Sequence, residues 1–252
     1  PLSATTPFGP EAVDSYEAGL KSSWLDRRLQ LNIAGFYTDY KDIQQSTTIP
    51  TAGGTGNETI VTNAASAKIK GIELDFTAVP VENLTIRGSF SLTDAKFGDF
   101  LAREPDANFV LQPVDYSDVG MIYAPKVTGS VGFEYTVPVG FGDWHLNGTY
   151  RHIGEYDQQI ARDAAIALPT DGSTFVVGNN DARVRSNAQN LIDASLSLSF
   201  EALQDSKARV GVYVRNLTDN RGPASSFTVG GLWSFSTTRE PRTYGVQVGF
   251  DF

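Results

Sequence analysis

The chain ends on a run of strict alternation. Tyr244, Val246, Val248, Phe250 and Phe252 fall on one side of an extended backbone, and Thr243, Gly245, Gln247, Gly249 and Asp251 fall on the other. Successive side chains of a β-strand point to opposite faces, so this stretch has one oily side and one wet side up to its last residue. Such a strand suits a wall between hydrocarbon and water, and it reads as the closing strand of a barrel set in an outer membrane.

The same period recurs through the chain in about nine segments, over residues 14–24, 29–42, 66–79, 84–97, 122–137, 143–157, 189–201, 208–219 and 241–252. Their lengths approach the roughly 9 to 11 residues that a tilted strand needs to cross a bilayer. The links near Asp26, Glu82, Gly140 and Asp205 are short, whereas those over 43–65, 98–121, 158–188 and 220–240 are long. In a meander every second link lies on the same rim, so tight turns collect on one side and large polar loops on the other. The expected fold is therefore all-β: an antiparallel up-and-down transmembrane β-barrel segment of about nine strands.

Charge tests this phase assignment, because a cation at mid-bilayer on the lipid face costs on the order of 2 to 4 kcal/mol. Leu84, Ile86, Phe90 and Leu92 share a face opposite Thr85, Arg87, Ser89, Ser91 and Thr93. Val127, Val131, Phe133, Tyr135 and Val137 oppose Thr128, Ser130, Glu134 and Thr136, and Ile72, Leu74, Phe76 and Ala78 oppose Glu73, Asp75 and Thr77. Ile192, Ala194, Leu196, Leu198 and Phe200 likewise oppose Asp193, Ser195, Ser197 and Ser199. Trp24, Trp144, Phe200 and Phe252 stand beside the short turns, where amphipathic rings meet headgroups. A soluble β-sandwich also alternates, with its oily face turned to a protein core. Strand length, one-sided loops, aromatic ends and a terminal Phe together favour the barrel.

Composition removes other classes. A net charge of -9 with 20 scattered Lys and Arg residues gives no phosphate-binding patch, so no nucleic-acid partner is expected. With no Cys there is neither a disulfide framework nor a thiolate metal site. No window of about 18 apolar residues offers a membrane-spanning helix. The chain opens at Pro1 without a Met or a basic-then-apolar leader, which reads as the tail of something longer.

His145 and His152 lie seven apart on one strand, hence on opposite faces, and read as a wet-face and a rim residue instead of a metal pair. Glu104, Asp106, Asp115 and Asp118 lack the spacing of a calcium loop and read as a solvated loop. The Asn-x-Thr words at Asn57, Asn83, Asn147 and Asn216 read as chance matches to a glycosylation pattern. Gly35, Gly71, Gly88, Gly129, Gly148 and Gly211 sit inside strands, where barrel curvature accounts for them. No hydrolase, zinc-protease or phosphate-loop motif occurs, so neither an enzyme nor a cofactor is expected.

Several phrases resemble one family. They are Pro10-Glu11 with Asp14, Ser15, Tyr16 and Glu17, then Gly19, Leu20 and Lys21; Phe36-Tyr37 with Asp39, Tyr40, Lys41, Asp42 and Ile43; and Asn63-Ala64, Ala67, Lys70-Gly71 and Glu73. Thr93, Asp94, Ala95 and then Ala124, Pro125, Lys126 follow. The end is the most diagnostic: Asn216, Leu217, Thr218 and Asp219 close one strand, and Glu240, Pro241, Arg242, Thr243, Tyr244 and Gly245 open the last. Over nearly its whole length the chain resembles the TonB-dependent receptors of the bacterial outer membrane, particularly the siderophore-uptake type.

That resemblance implies a barrel of 22 strands around a plug, of which residues 1–252 are the C-terminal portion, without the plug domain, the TonB-contacting box and the N-terminal strands. It implies uptake of a scarce nutrient, commonly a ferric siderophore, energised by the TonB system through the missing plug. Outer-membrane lipid is then a partner. So is the barrel-assembly machinery, recognising the terminal signal Tyr244, Val246, Val248, Phe250 and Phe252. Ligand contacts are expected from the long loops, with Phe109, Tyr116, Phe175, Phe227 and Trp233 as aromatic candidates. A passive outer-membrane channel and a soluble β-sandwich binding module are the alternatives.

Overall fold

The computed structural model describes residues 7–50, 57–105, 111–160, 164–167, 174–177, 185–203, 206–229 and 233–251. Strands are numbered in chain order. Nine of them build one antiparallel sheet: β1 (Ala12–Trp24), β2 (Leu29–Pro50), β3 (Asn57–Ala78), β4 (Leu84–Pro105), β6 (Val127–Val139), β7 (Gly142–Ile153), β12 (Gln189–Leu203), β13 (Ser206–Arg215) and β16 (Thr243–Asp251). Each pairs with the next in that order, as a meander requires. A short strand, β5 (Leu111–Asp115), pairs with the outer end of β4. Small hairpins stand in the long connections: β8 (Tyr156–Asp157) with β11 (Arg185–Ser186), β9 (Ala164–Ala167) with β10 (Thr174–Val177), and β14 (Pro223–Val229) with β15 (Trp233–Thr238).

Register decides what the alternation achieves. One row runs Leu20, Ile33, Leu74, Phe90, Gly129 across β1, β2, β3, β4 and β6. Another runs Tyr135, Leu146, Leu196, Val212, Val246 across β6, β7, β12, β13 and β16. Every strand thus turns its oily residues to the same side. The rows between are polar, with Asp75, Ser89, Ser130 and Arg151 abreast on β3, β4, β6 and β7. A slip of one residue in any pair would break both faces at once, so the pattern itself specifies the register.

The oily side is bare. Tyr16 is 67% exposed, Val246 69% and Tyr244 80%. Among the described residues no second sheet and no helix covers it, so the soluble sandwich alternative fails. From Leu29 to Tyr37 the belt climbs about 26 Å along β2 at roughly 3.3 Å per residue, near the apolar height that barrel walls present to lipid. Trp24, Trp144, Phe200 and Phe250 border it at the short turns. Tyr16, Tyr37, Tyr150 and Tyr244 border it at the opposite rim, giving a second aromatic girdle that the sequence reading did not pick out.

Three of the glycines inside strands, Gly71, Gly88 and Gly148, have a local cause beside curvature. A side chain on Gly148 would begin 2.5 Å from the Phe133 ring, and one on Gly88 would begin 2.3 Å from the Phe76 ring. Each of these glycines floors the ring of its cross-strand partner on the oily side. Phe36 over Gly71 and Tyr213 over Gly245 repeat the arrangement on the polar side.

The tight turn after β1 puts Leu25, Asp26 and Arg27 all at positive φ. That conformation costs a residue with a Cβ, and it matches the primed twist of a two-strand corner. The long connections depart from the expected polar loops. β2 and β3 keep pairing out to Pro50 and Asn57, and β4 continues to Pro105 against β5. Beyond the belt the outward face is no longer oily and the two-residue period fades, while Thr, Ile and Val still favour extended backbone.

Candidate functional site

The polar face is held together by side chains as well as by the ladder. Arg87 Nη1 donates to Glu134 Oε1 at 3.2 Å, and the Ser89 and Ser130 hydroxyls meet at 2.8 Å. His145 bridges the Thr136 Oγ1 at 3.3 Å and the Ser199 Oγ at 2.8 Å, so it lies on the polar face as its phase requires. His152 reaches Asn190 Oδ1 at 2.9 Å at the rim of the long connections. A shallow concavity of about 470 Å³ opens among Asp75, Thr85, Arg87, Ser130, Glu134 and Asn147. The face is open, carries both signs of charge and is rich in rotatable donors, which suits a lumen wall better than a tight ligand cradle.

At the long-connection rim the polarity of the sheet inverts. Outward positions become charged: Lys41 pairs with Asp14 at 3.3 Å and Asp39 at 3.4 Å, and Asp94 lies 3.8 Å from Lys70 and 3.9 Å from Lys96. Inward positions become apolar, with Ala67 paired to both Tyr40 and Phe97. Ile43, Ala65, Ala67, Phe97, Phe100 and Tyr116 form the one buried hydrophobic cluster among the described residues. The rings of Phe97 and Phe100 lie 4.8 Å apart, and those of Phe100 and Tyr116 5.4 Å. Tyr116 is 3% exposed and packs the connection beneath it. Beside this cluster a notch of about 480 Å³ is lined by Lys96, Asp118, Lys126, His152, Glu155 and Asp157.

Two polar knots pin the connections. In the first, Asn63 accepts from the Gly9 amide at 2.6 Å and donates to the carbonyls of Gly9 and Asp42 at 3.0 and 2.7 Å. Glu11 accepts from the Tyr40 hydroxyl at 2.6 Å and the Gln44 amide at 2.7 Å. The Tyr40 hydrogen bond, then that of Gln44, holds the Glu11 carboxyl below its ordinary range, and the same bond pushes the Tyr40 phenol up. Asp42, at φ 56°, marks the register shift that lets the strand bend here.

In the second knot the Asn216 side chain donates to the carbonyls of Asn220 and Glu240 at 3.2 and 3.0 Å. Its own oxygen accepts from the Thr218 hydroxyl and the Asn220 amide at 3.2 and 3.0 Å. Asp219 accepts from Arg221 and from the Arg242 amide, both at 3.0 Å, and Arg221 holds its carboxyl below the usual range. Asn216 is 8% exposed, which gives its Asn-x-Thr word a structural purpose.

Of the aromatic candidates, Phe175 lies on β10 opposite Ile166, Phe227 on β14 opposite Phe235, and Trp233 on β15 opposite Val229. Phe227 and Trp233 share the β14–β15 hairpin of one connection, whereas Phe175 stands on the β9–β10 hairpin of another. Phe109 and Phe252 lie outside the described residues. Tyr244, Val246, Val248 and Phe250 form the oily row of β16, whose outer edge carries no partner strand among the described residues. A buried polar group around Ser186 and Arg239 was not singled out from sequence, since isolated Gln, Ser and Arg residues in a long loop carry no pattern.

A single meander with one oily face, a polar face and elaborated connections on one rim defines a membrane-barrel wall. Residues 2–217 match the model of the family described as TonB dependent receptor-like, beta-barrel. The chain belongs to that family, whose members are transporters of the bacterial outer membrane and not enzymes. Among solved structures it is similar to the ferric yersiniabactin uptake receptor FyuA from Yersinia pestis, with 18% identity and a TM-score of 0.66 over 96% of this chain and 30% of that one. It is also similar to BauA, the ferric preacinetobactin receptor from Acinetobacter baumannii, with 18% identity and a TM-score of 0.61 over 95% and 29%. The copper transporter OprC gives 19% identity and 0.57 over 95% and 32%. The chain spans about a third of the length of the structures it matches.

Proposed function

We propose that this chain forms the C-terminal part of the barrel wall, with its outer connections, of a receptor in the bacterial outer membrane that takes up a ferric siderophore with energy delivered by TonB. The observation that carries this reading is the unbroken oily belt across all nine wall strands, together with the pinned, elaborated connections on one rim only. The outer edges of β1 and β16 are consistent with a larger barrel, because an unpaired strand edge in hydrocarbon leaves backbone donors and acceptors unsatisfied. The plug and the remaining strands then lie elsewhere in the protein. Phe109, Phe175, Phe227 and Trp233 serve as ligand contacts from the connections, while Tyr116, the fifth aromatic candidate, is 3% exposed and packs against Phe100 instead. The row Tyr244, Val246, Val248, Phe250 and Phe252 serves as the assembly signal, its described members exposed and on a free edge.

The structures that the chain resembles include receptors named for iron chelates and one named for copper, so the wall itself does not select cargo. The test is uptake of radiolabelled iron chelates and of copper by iron-starved cells carrying or lacking the full gene, with and without TonB. Uptake of an iron chelate that requires both gene and TonB supports the reading. Gene-dependent entry that persists without TonB supports the passive channel, and copper entry alone overturns the siderophore assignment.

A further inference from the structure

Three arginines at the long-connection rim are treated differently. Arg185 spends its guanidinium on Asp157 at 2.8 Å, and Arg221 spends its own on Asp219 at 2.9 Å. Arg239 makes no ion pair among the described residues. Its Nη2 donates to the Ser186 hydroxyl at 2.8 Å, its amide donates to the Gly222 carbonyl at 3.3 Å, and its Nη1 is buried with no partner. A Cβ on Gly222 would fall 2.6 Å from that same Nη1, so the missing side chain is what gives the guanidinium its seat.

The surroundings are polar and closed. Ser186 is 0% exposed, Gln189 3% and Gln158 3%. Gln189 donates to Ser186 Oγ at 3.3 Å, and Gln158 Nε2 donates to the Ala224 carbonyl at 3.4 Å. That bond fixes which way the Gln158 amide points and leaves its Oε1 buried without a donor. The two orphaned atoms are tied to one short stretch, through the Gly222 and Ala224 carbonyls. Gln189 opens β12 on the polar row that also carries Glu73, Ser91 and Thr128, so the group stands on the lumen side of the mouth.

We propose that Gln158, Ser186, Gln189, Gly222 and Arg239 form a binding subsite for a hydroxycarboxylate group. This rests on the receptor reading and names a chemical class for its cargo. Each orphan asks for a complementary partner: a guanidinium nitrogen buried without a counter-ion among the described residues calls for an anionic oxygen, and a buried acceptor calls for a hydroxyl or amine donor. A carboxylate takes the Arg239 Nη1 hydrogen, with the planar fork favouring that anion, and the adjacent hydroxyl donates to Gln158 Oε1. Water can satisfy the glutamine but leaves the guanidinium charge uncompensated.

The experiment titrates the detergent-solubilised full-length receptor with glycolate, and with acetate, which lacks the hydroxyl, following binding by calorimetry. Wild type is expected to bind glycolate at least tenfold more tightly than Arg239→Gln does. Gln158→Leu is expected to reduce glycolate to the acetate level while leaving acetate unchanged. Equal glycolate binding by wild type and Arg239→Gln, or no preference of wild type for glycolate over acetate, overturns the subsite. Should Arg239→Gln fail to fold, the wild-type preference and the Gln158→Leu arm decide alone. The uptake assay separates the two levels: TonB-dependent chelate uptake with no glycolate binding leaves the receptor standing without this subsite, and glycolate binding without such uptake leaves the subsite standing without that receptor.

Discussion

The Glu11 carboxylate ties the chain before β1 to β2 through Tyr40 and the Gln44 amide, and Asn63 adds β3 through its bonds to Gly9 and Asp42. Glu11, Tyr40, Asp42 and Asn63 belong to phrases read from sequence as family words, but nothing in the sequence said that they meet. Side-chain knots depend on separations of 21 to 54 residues, which no local period records. The same holds for Asn216 and Glu240, and for the group around Arg239. The Glu11 knot has a consequence for pH. Its folded carboxyl titrates below the ordinary glutamate range, so the stabilisation is complete above that range and is lost as pH falls through the lowered value. Tyr40, shifted upward, contributes fully below the ordinary tyrosine range and loses its contribution as pH rises through its raised value. Hydrogen exchange at the Gln44 amide, corrected for its intrinsic pH dependence, is expected to stay slow between those limits and to accelerate outside them. In Glu11→Gln the acid limb should vanish. An acid limb unchanged by that substitution would show that another group governs the corner.

At the scale of the element, an aromatic ring and a glycine on neighbouring strands act as one packing unit. Phe133 lies over Gly148 on the oily side, in a space that a Cβ would fill. Gly148→Val should therefore destabilise by about 1–3 kcal/mol through overpacking, although valine is the better strand former. In a Phe133→Ala background the ring is gone, and the same substitution should be neutral or stabilising by up to about 1 kcal/mol. Urea unfolding of the full receptor in lipid vesicles measures all four variants of this cycle, and strict additivity would refute the pairing. Elements of this kind were half legible. Alternation located all nine wall strands, because each buries or bares one face as a whole. It overran at residues 122–126, where Ala124-Pro125-Lys126 precedes the wall pairing, and at 216–219, where the Asn216 knot ends β13. It also stopped short on β2, β3 and β4, whose outer parts turn charged residues outward and bury Ala67, Phe97 and Phe100 inward, reversing the contrast from which the period was read.

For the molecule as a whole, the decisive property is that within the belt every wall strand turns its oily face to the same side, so depth and side are set for each residue there by its register. Leu196 and Ser195 are adjacent on β12 and lie at nearly the same height. Leu196 is flanked by Leu146 and Val212 in the middle of the belt, and Ser195 by Asn147 and Tyr213 on the polar side. In a water-soluble sheet an arginine on the bare face would cost little, since Leu196 is already 39% exposed to the surroundings. In a bilayer the same arginine must hold its charge in hydrocarbon or distort the lipid around it, at about 2–4 kcal/mol near the midplane. Leu196→Arg in the full receptor is thus expected to lower the free energy of unfolding in vesicles by that amount and to reduce the folded fraction assembled in cells. Ser195→Arg, one residue away but turned to the lumen, should fall within about 0.5 kcal/mol of wild type. Equal costs for the two would mean that the faces do not meet different solvents. A larger cost at Ser195 would mean that the wall has been assigned inside out.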